Sequence, residues 1–121
     1  YRPWSVTKLM WDTTPPARRD YVADPQKGSR HNRGAAVDLT IVDLQTGKPV
    51  AMPSNYDDFS QKAHHSYQGG SAQARSNRAK LRAVMEKHGF EALSNEWWHY
   101  DFQGWENYPI LDKKFEEIQS R

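Results

Sequence analysis

Ser29-Arg30-His31-Asn32-Arg33-Gly34-Ala35-Ala36-Val37-Asp38 joins a polar, glycine-closed loop to the head of a strand, and Leu39-Thr40-Ile41-Val42-Asp43 carries that strand on. Within Ala36 to Asp43, apolar and polar residues alternate from Val37 to Ile41. The alternation predicts a strand with Val37, Leu39 and Ile41 on one face and Asp38 and Thr40 on the other. A carboxylate among Val, Leu and Ile needs a partner, because a buried unpaired charge is costly and tends to neutralise. A metal ion is one such partner; Arg30 or Arg33 is the plainer alternative. His31 taken alone reads as a solvated loop histidine, and Asp38 is what makes it a candidate ligand.

Downstream, Thr46-Gly47-Lys48-Pro49 supplies a turn, and a second short strand over Val50 to Met52 would complete a hairpin. Residues 53–76 are polar and contain Gly69-Gly70, so they are expected to be loop with a turn of helix, long enough to cover or line a site. Ser76 is the expected cap of a helix from Asn77 to His88, with Leu81, Val84, Met85 and His88 on its apolar face and Gly89 as its stop. Trp97 to Phe102 reads as a strand, with Trp97, His99 and Asp101 on one face and Trp98, Tyr100 and Phe102 on the other. Upstream, a short helix over Trp4 to Trp11 is stopped by Thr13-Thr14-Pro15-Pro16, and the text from there to Gly34 is loop-like. A terminal helix is expected over Lys113 to Gln119.

At 121 residues the chain is sized for one domain, and five Trp, six Tyr and four Phe can build its core despite a mean hydropathy of -1.00. Seventeen Lys and Arg against fifteen Asp and Glu leave +2, with no run of like charge that would call for nucleic acid. No apolar stretch approaches the ~20 residues needed to cross a bilayer. With no Cys, a metal site would have to use His and carboxylates.

A catalytic zinc site takes two or three imidazoles with at most one or two carboxylates and keeps a position open. The loop and strand around His31 and Asp38 fit that need, and so does Glu96-Trp97-Trp98-His99. Alternation puts Glu96 and His99 on opposite faces, so both can serve one metal only if Glu96 lies on the turn that Ser94-Asn95 begins. His64-His65 would point apart on a regular strand and are assigned a structural or pocket-wall role. His88 is expected at the core edge near a helix C-terminus, and the aromatics around His99 in the core.

The pattern S-x-H-x-x-G-x-A-x-D, followed by E-x-W-H, resembles the D-alanyl-D-alanine dipeptidases of the vancomycin-resistance type, within the zinc D,D-peptidase and Hedgehog-like fold. Tyr1-Arg2-Pro3, Asp57-Asp58-Phe59, Ala63-His64-His65, Asn77-Arg78 and Gly89-Phe90 extend the likeness over nearly the whole chain. The resemblance implies an α+β fold: a small antiparallel sheet carrying one zinc ion, flanked by helices. It implies His31, Asp38 and His99 as ligands, Glu96 as general base and Arg2 as stabiliser of the oxyanion. Ser29 would line the substrate pocket and Asp57 meet the substrate ammonium, with Asp58 as the neighbouring alternative.

The implied reaction is hydrolysis of the small dipeptide D-Ala-D-Ala, in bacterial cytoplasm or periplasm, without nucleic acid or membrane insertion. Two alternatives stand beside it: a related D,D- or L,D-peptidase acting on muropeptides of the cell wall, and a non-catalytic zinc-binding remnant. Family members carry a segment ahead of the Y-R-P element that this chain lacks, so 1–121 is read as a catalytic domain truncated at its N-terminus. Arg2 is then expected near a fraying end.

Overall fold

A computed structural model describes residues 1–118, which divide into two compact units: Tyr1–Ala36 with the chain from Gly104 on, and Val37–Gln103. Helices and one small three-stranded sheet make the fold α+β. Among the described residues no helix is long and apolar enough to cross a membrane.

The first unit contains α1 (Trp4–Thr13), longer than expected by two residues, and 3-10 segments at Pro16–Tyr21, Arg30–Arg33, Trp105–Asn107 and Phe115–Glu117. α1 ends as its sequence requires. The Thr13 and Thr14 hydroxyls donate to the Leu9 and Met10 carbonyls at 2.8 and 2.7 Å, and two prolines follow. The C-terminal segment lies along this helix: Asp112 accepts from the Ser5 amide and hydroxyl at 2.9 and 2.7 Å, which holds its carboxyl below the usual range. At Gly28 (φ 74°) a Cβ would lie 2.3 Å from Ile110 Cδ1, so only glycine lets Ile110 seat there.

This unit is organised around polar groups. Thr7 and Asn32 are fully buried, and Asn32 Nδ2 donates to Thr7 Oγ1 and to the Arg2 carbonyl, both at 2.9 Å. Its Oδ1 accepts from the Ser29 amide at 2.8 Å, and its carbonyl accepts from Leu111 at 3.0 Å. The terminal helix expected over Lys113 to Gln119 is only a 3-10 turn at Phe115–Glu117, and Gln119 lies outside the described residues.

The second unit holds the sheet, in the order β1-β3-β2, from β1 (Ala36–Asp38), β2 (Phe90–Ala92) and β3 (His99–Phe102). β2 and β3 pair antiparallel, with Phe90 opposite Phe102, Glu91 opposite Asp101 and Ala92 opposite Tyr100. Trp98 and Tyr100, each about 1% exposed or less, pack with Trp97, Ala63, Leu81 and Met85. Those aromatics are core, as expected.

Two elements differ from the sequence reading. The first strand stops at Asp38 rather than running to Asp43. Leu39 and Ile41 still pack on the core, but Val37 is exposed, and the hairpin is reduced to a single bridge between Val42 and Pro49. Asp43 Oδ1 accepts from the Gln45 and Thr46 amides and folds 43–47 into a tight turn, but no second strand forms over Val50 to Met52.

The long helix, α2 (Ala72–Lys87), begins before Asn77 because Ser71, not Ser76, caps it, accepting from the Ala74 amide at 3.1 Å. Its buried face is Ala74, Arg78, Leu81 and Met85, whereas Val84 and His88 are exposed. Arg78 is tolerated inside because its guanidinium donates to the His64 and Tyr67 carbonyls, each at 2.9 Å. Ser71→Ala should therefore cost about 1 kcal/mol and Ser76→Ala almost nothing, measured by urea denaturation; the reverse order would restore the later start.

His65 packs edge-on against Tyr100, with ring centroids 6.2 Å apart. Burial, helped by the Arg82 and Arg78 charges, pushes its imidazole down to about 4, against the opposing charge of Glu86 and a hydrogen bond the ring donates to the Glu96 backbone. The unfolded ring takes a proton near 6.5 and the folded ring only near 4, so stability is complete above about 6.5 and falls as pH drops through that window. Screening of this partly exposed ring trims the loss to roughly 2 kcal/mol. His65→Gln should flatten that limb of the stability profile; an unchanged limb would assign the acid sensitivity to other groups.

Candidate metal centre

In the second unit the sheet brings Asp38 and His99 together. A ladder bond from the Leu39 amide to the Trp98 carbonyl at 3.0 Å sets the end of β1 beside the start of β3. Asp38 Oδ1 then lies 3.1 Å from His99 Nδ1. On the same face, Asp101 Oδ1 lies 2.8 Å from His99 Nε2, and the Tyr56 hydroxyl donates to Asp38 Oδ2 at 3.3 Å. Burial alone would lower the imidazole, but the bonds and charges of Asp101 and Asp38 outweigh it and push His99 up to about 9.

This arrangement fits a cation. When Nε2–H is donated to Asp101, the Nδ1 lone pair faces a carboxylate oxygen, and two acceptors so close require positive charge between them. A proton can supply it, and so can a divalent metal held by imidazole and carboxylate. Glu96 sits where the sequence reading needed it, on the turn entering β3, with its carbonyl accepting from the His99 amide at 3.4 Å. It is half-buried.

A cavity of about 580 Å³ opens beside Asp38, lined by Leu39, Val50, Met52, Tyr56 and Trp97 among others. Asp57 is exposed and is not part of that lining; it is the one non-glycine residue with positive φ (56°) among the described residues, while Asp58 beside it is half-buried. The His64 carbonyl accepts from Arg78, and His65 packs against Tyr100.

In the first unit His31 lies in the Arg30–Arg33 turn and is 8% exposed. The S-x-H-x-x-G spacing acquires a physical meaning here. Ser29 caps the turn, accepting from the His31 amide at 3.2 Å, and Gly34 closes it in the left-handed region at φ 65°. Ser29 is buried and caps this turn. Arg2 is not frayed: its amide donates to the His31 carbonyl at 3.0 Å and its own carbonyl accepts from Asn32. Sequence reasoning gave no role to Asn32, although it occupies an unassigned position of the motif, nor to Asp101, although period two already set it beside His99.

A family model described as D-ala-D-ala dipeptidase, peptidase M15, matches residues 1–121. The chain is 44% identical over 98 residues to a D-alanyl-D-alanine dipeptidase of Enterococcus faecium, covering 81% of the chain and 46% of that relative. It is 34% identical over 115 residues to one of Escherichia coli (strain K12), covering 95% and 58%, and 45% identical over 83 residues to one of Enterococcus faecalis, covering 68% and 39%. The chain spans about half the length of the relatives it matches.

Proposed function

The chain belongs to the peptidase M15 family of D-Ala-D-Ala dipeptidases, and from that premise we propose that it is a zinc peptidase that hydrolyses a small D-amino-acid dipeptide, D-Ala-D-Ala first among them. In this reading His31, Asp38 and His99 hold one zinc ion, and residues 1–121 act as one catalytic domain. The observation that carries it is the pairing of Asp38 with a His99 whose other nitrogen is committed to Asp101.

Zinc, when bound, supplies Lewis acidity toward the scissile carbonyl and toward water. The chain's own residues supply the rest. The Glu96 carboxylate accepts the proton of the attacking water as the carbon–oxygen bond forms, then returns it to the amine as the carbon–nitrogen bond breaks. The Arg2 guanidinium offsets charge developing on the carbonyl oxygen. Holding the Arg2 backbone through His31 and Asn32 is the kind of preorganisation such a role requires. Asp57 would meet the substrate ammonium, with Asp58 the neighbouring alternative, and Ser29 would help line the substrate pocket.

A second reading, a related peptidase acting on muropeptides, is favoured by the cavity beside Asp38, whose 580 Å³ falls in the range that holds ligands larger than a dipeptide. The deciding assay is D-alanine release from D-Ala-D-Ala, with L-Ala-L-Ala as control and zinc determined on the same sample. D-selective release with about one zinc per chain supports the dipeptidase. Zinc with release only from muropeptides transfers the function to the second reading, and a chain that holds no zinc defeats both.

A further inference from the structure

We propose that Asp101 is a positioning residue for the metal centre: its carboxylate takes the Nε2–H of His99 and so fixes the imidazole with Nδ1 turned toward Asp38. The inference rests on the zinc reading above.

Three observations carry it. His99 and Asp101 are two apart in β3, so they share a face, while Trp98 and Tyr100 are committed to the core on the other. The strand thus delivers the carboxylate to the ring, and the contact is short, 2.8 Å. Both residues are 7% exposed, so the pair is shielded from competing water.

The third observation is that Asp101 is poorly chosen for stability. It is a buried carboxylate, and its cross-strand neighbour on the same face of the antiparallel pair is Glu91, a like charge. Burial and repulsion both act against it. The bond to His99 works against both, and it selects one tautomer and one ring orientation. An imidazole that binds metal through one nitrogen needs its other N–H fixed by an acceptor, and carboxylates serve this role widely. Asp101 is the only acidic residue of β3, and alternation puts it on the face of His99.

The test is zinc affinity of the whole chain, by competition with a chromophoric chelator, for Asp101→Asn, Asp101→Ala and, as control, His99→Ala. Asp101→Asn preserves shape and an acceptor oxygen, so it guards against a folding defect. Zinc Kd should rise about 10-fold for Asp101→Asn and up to about 100-fold for Asp101→Ala, with near-ultraviolet circular dichroism unchanged for Asp101→Asn. Nitrogen-15 shifts of His99 in the zinc-loaded chain should report metal on Nδ1 with Nε2 protonated in the parent, and a mixture of Nδ1-bound and Nε2-bound rings in Asp101→Ala.

Zinc bound as tightly by both Asp101 variants as by the parent, while His99→Ala loses it, would overturn this inference and leave the zinc reading standing. Failure of the parent to bind zinc, or retention of parental affinity by His99→Ala, would instead remove the reading on which it rests.

Discussion

Glu96→Gln is expected to slow hydrolysis of D-Ala-D-Ala by about 10²–10⁴-fold while zinc content stays at the parental level. Gln keeps the volume and one oxygen but cannot take a proton from water, so the loss should fall on kcat, with KM little changed. The prediction depends on Glu96 being a base and not a ligand. The turn that carries Glu96 into β3 distinguishes it from His99, which belongs to the strand itself. If Glu96→Gln lost zinc, the carboxylate would be a ligand. Normal turnover with zinc retained would sink the mechanism. Steady-state kinetics together with metal analysis on one preparation separates the outcomes.

The parts of the site legible in the sequence are those fixed by local rules. Two prolines end α1, alternation places His99 and Asp101 on one face, and Ser94-Asn95 announces the turn that carries Glu96. Where the sequence misled, the cause was a polar bond that no hydrophobic pattern announces. α2 starts at Ala72 because Ser71 caps it, yet Ala72 to Asn77 has no apolar periodicity to announce a helix. Its buried face includes Arg78, whose charge is answered by two backbone carbonyls that no pattern predicts. The alternation after Asp38 still puts Leu39 and Ile41 on the core, but β1 ends at Asp38 and only the Val42–Pro49 bridge remains of the hairpin. Asn32 stayed unread for the same reason: its partners, Arg2, Thr7 and Leu111, are distant in sequence.

That residue supplies the largest expected effect on stability. Asn32→Ala should cost about 3–5 kcal/mol in urea denaturation, because truncation leaves the buried Ser29 amide, Thr7 hydroxyl and Arg2 carbonyl without their partner, each orphan costing about 1–3 kcal/mol and the sum being less than additive. Thr7→Val removes one partner and keeps the shape, so it should cost about 1–2 kcal/mol. Once Asn32→Ala is present, Thr7→Val should cost markedly less, since its bond is already gone. Such coupling would place the stability of the first unit in the polar contact itself. Turnover should fall more in Asn32→Ala than in Thr7→Val at equal folded fraction, because only the former releases the Arg2 carbonyl. A loss below about 1 kcal/mol for Asn32→Ala, or strictly additive effects, would mean that the backbone bonds of Asn32, to Ser29 and Leu111, hold this unit without its side chain.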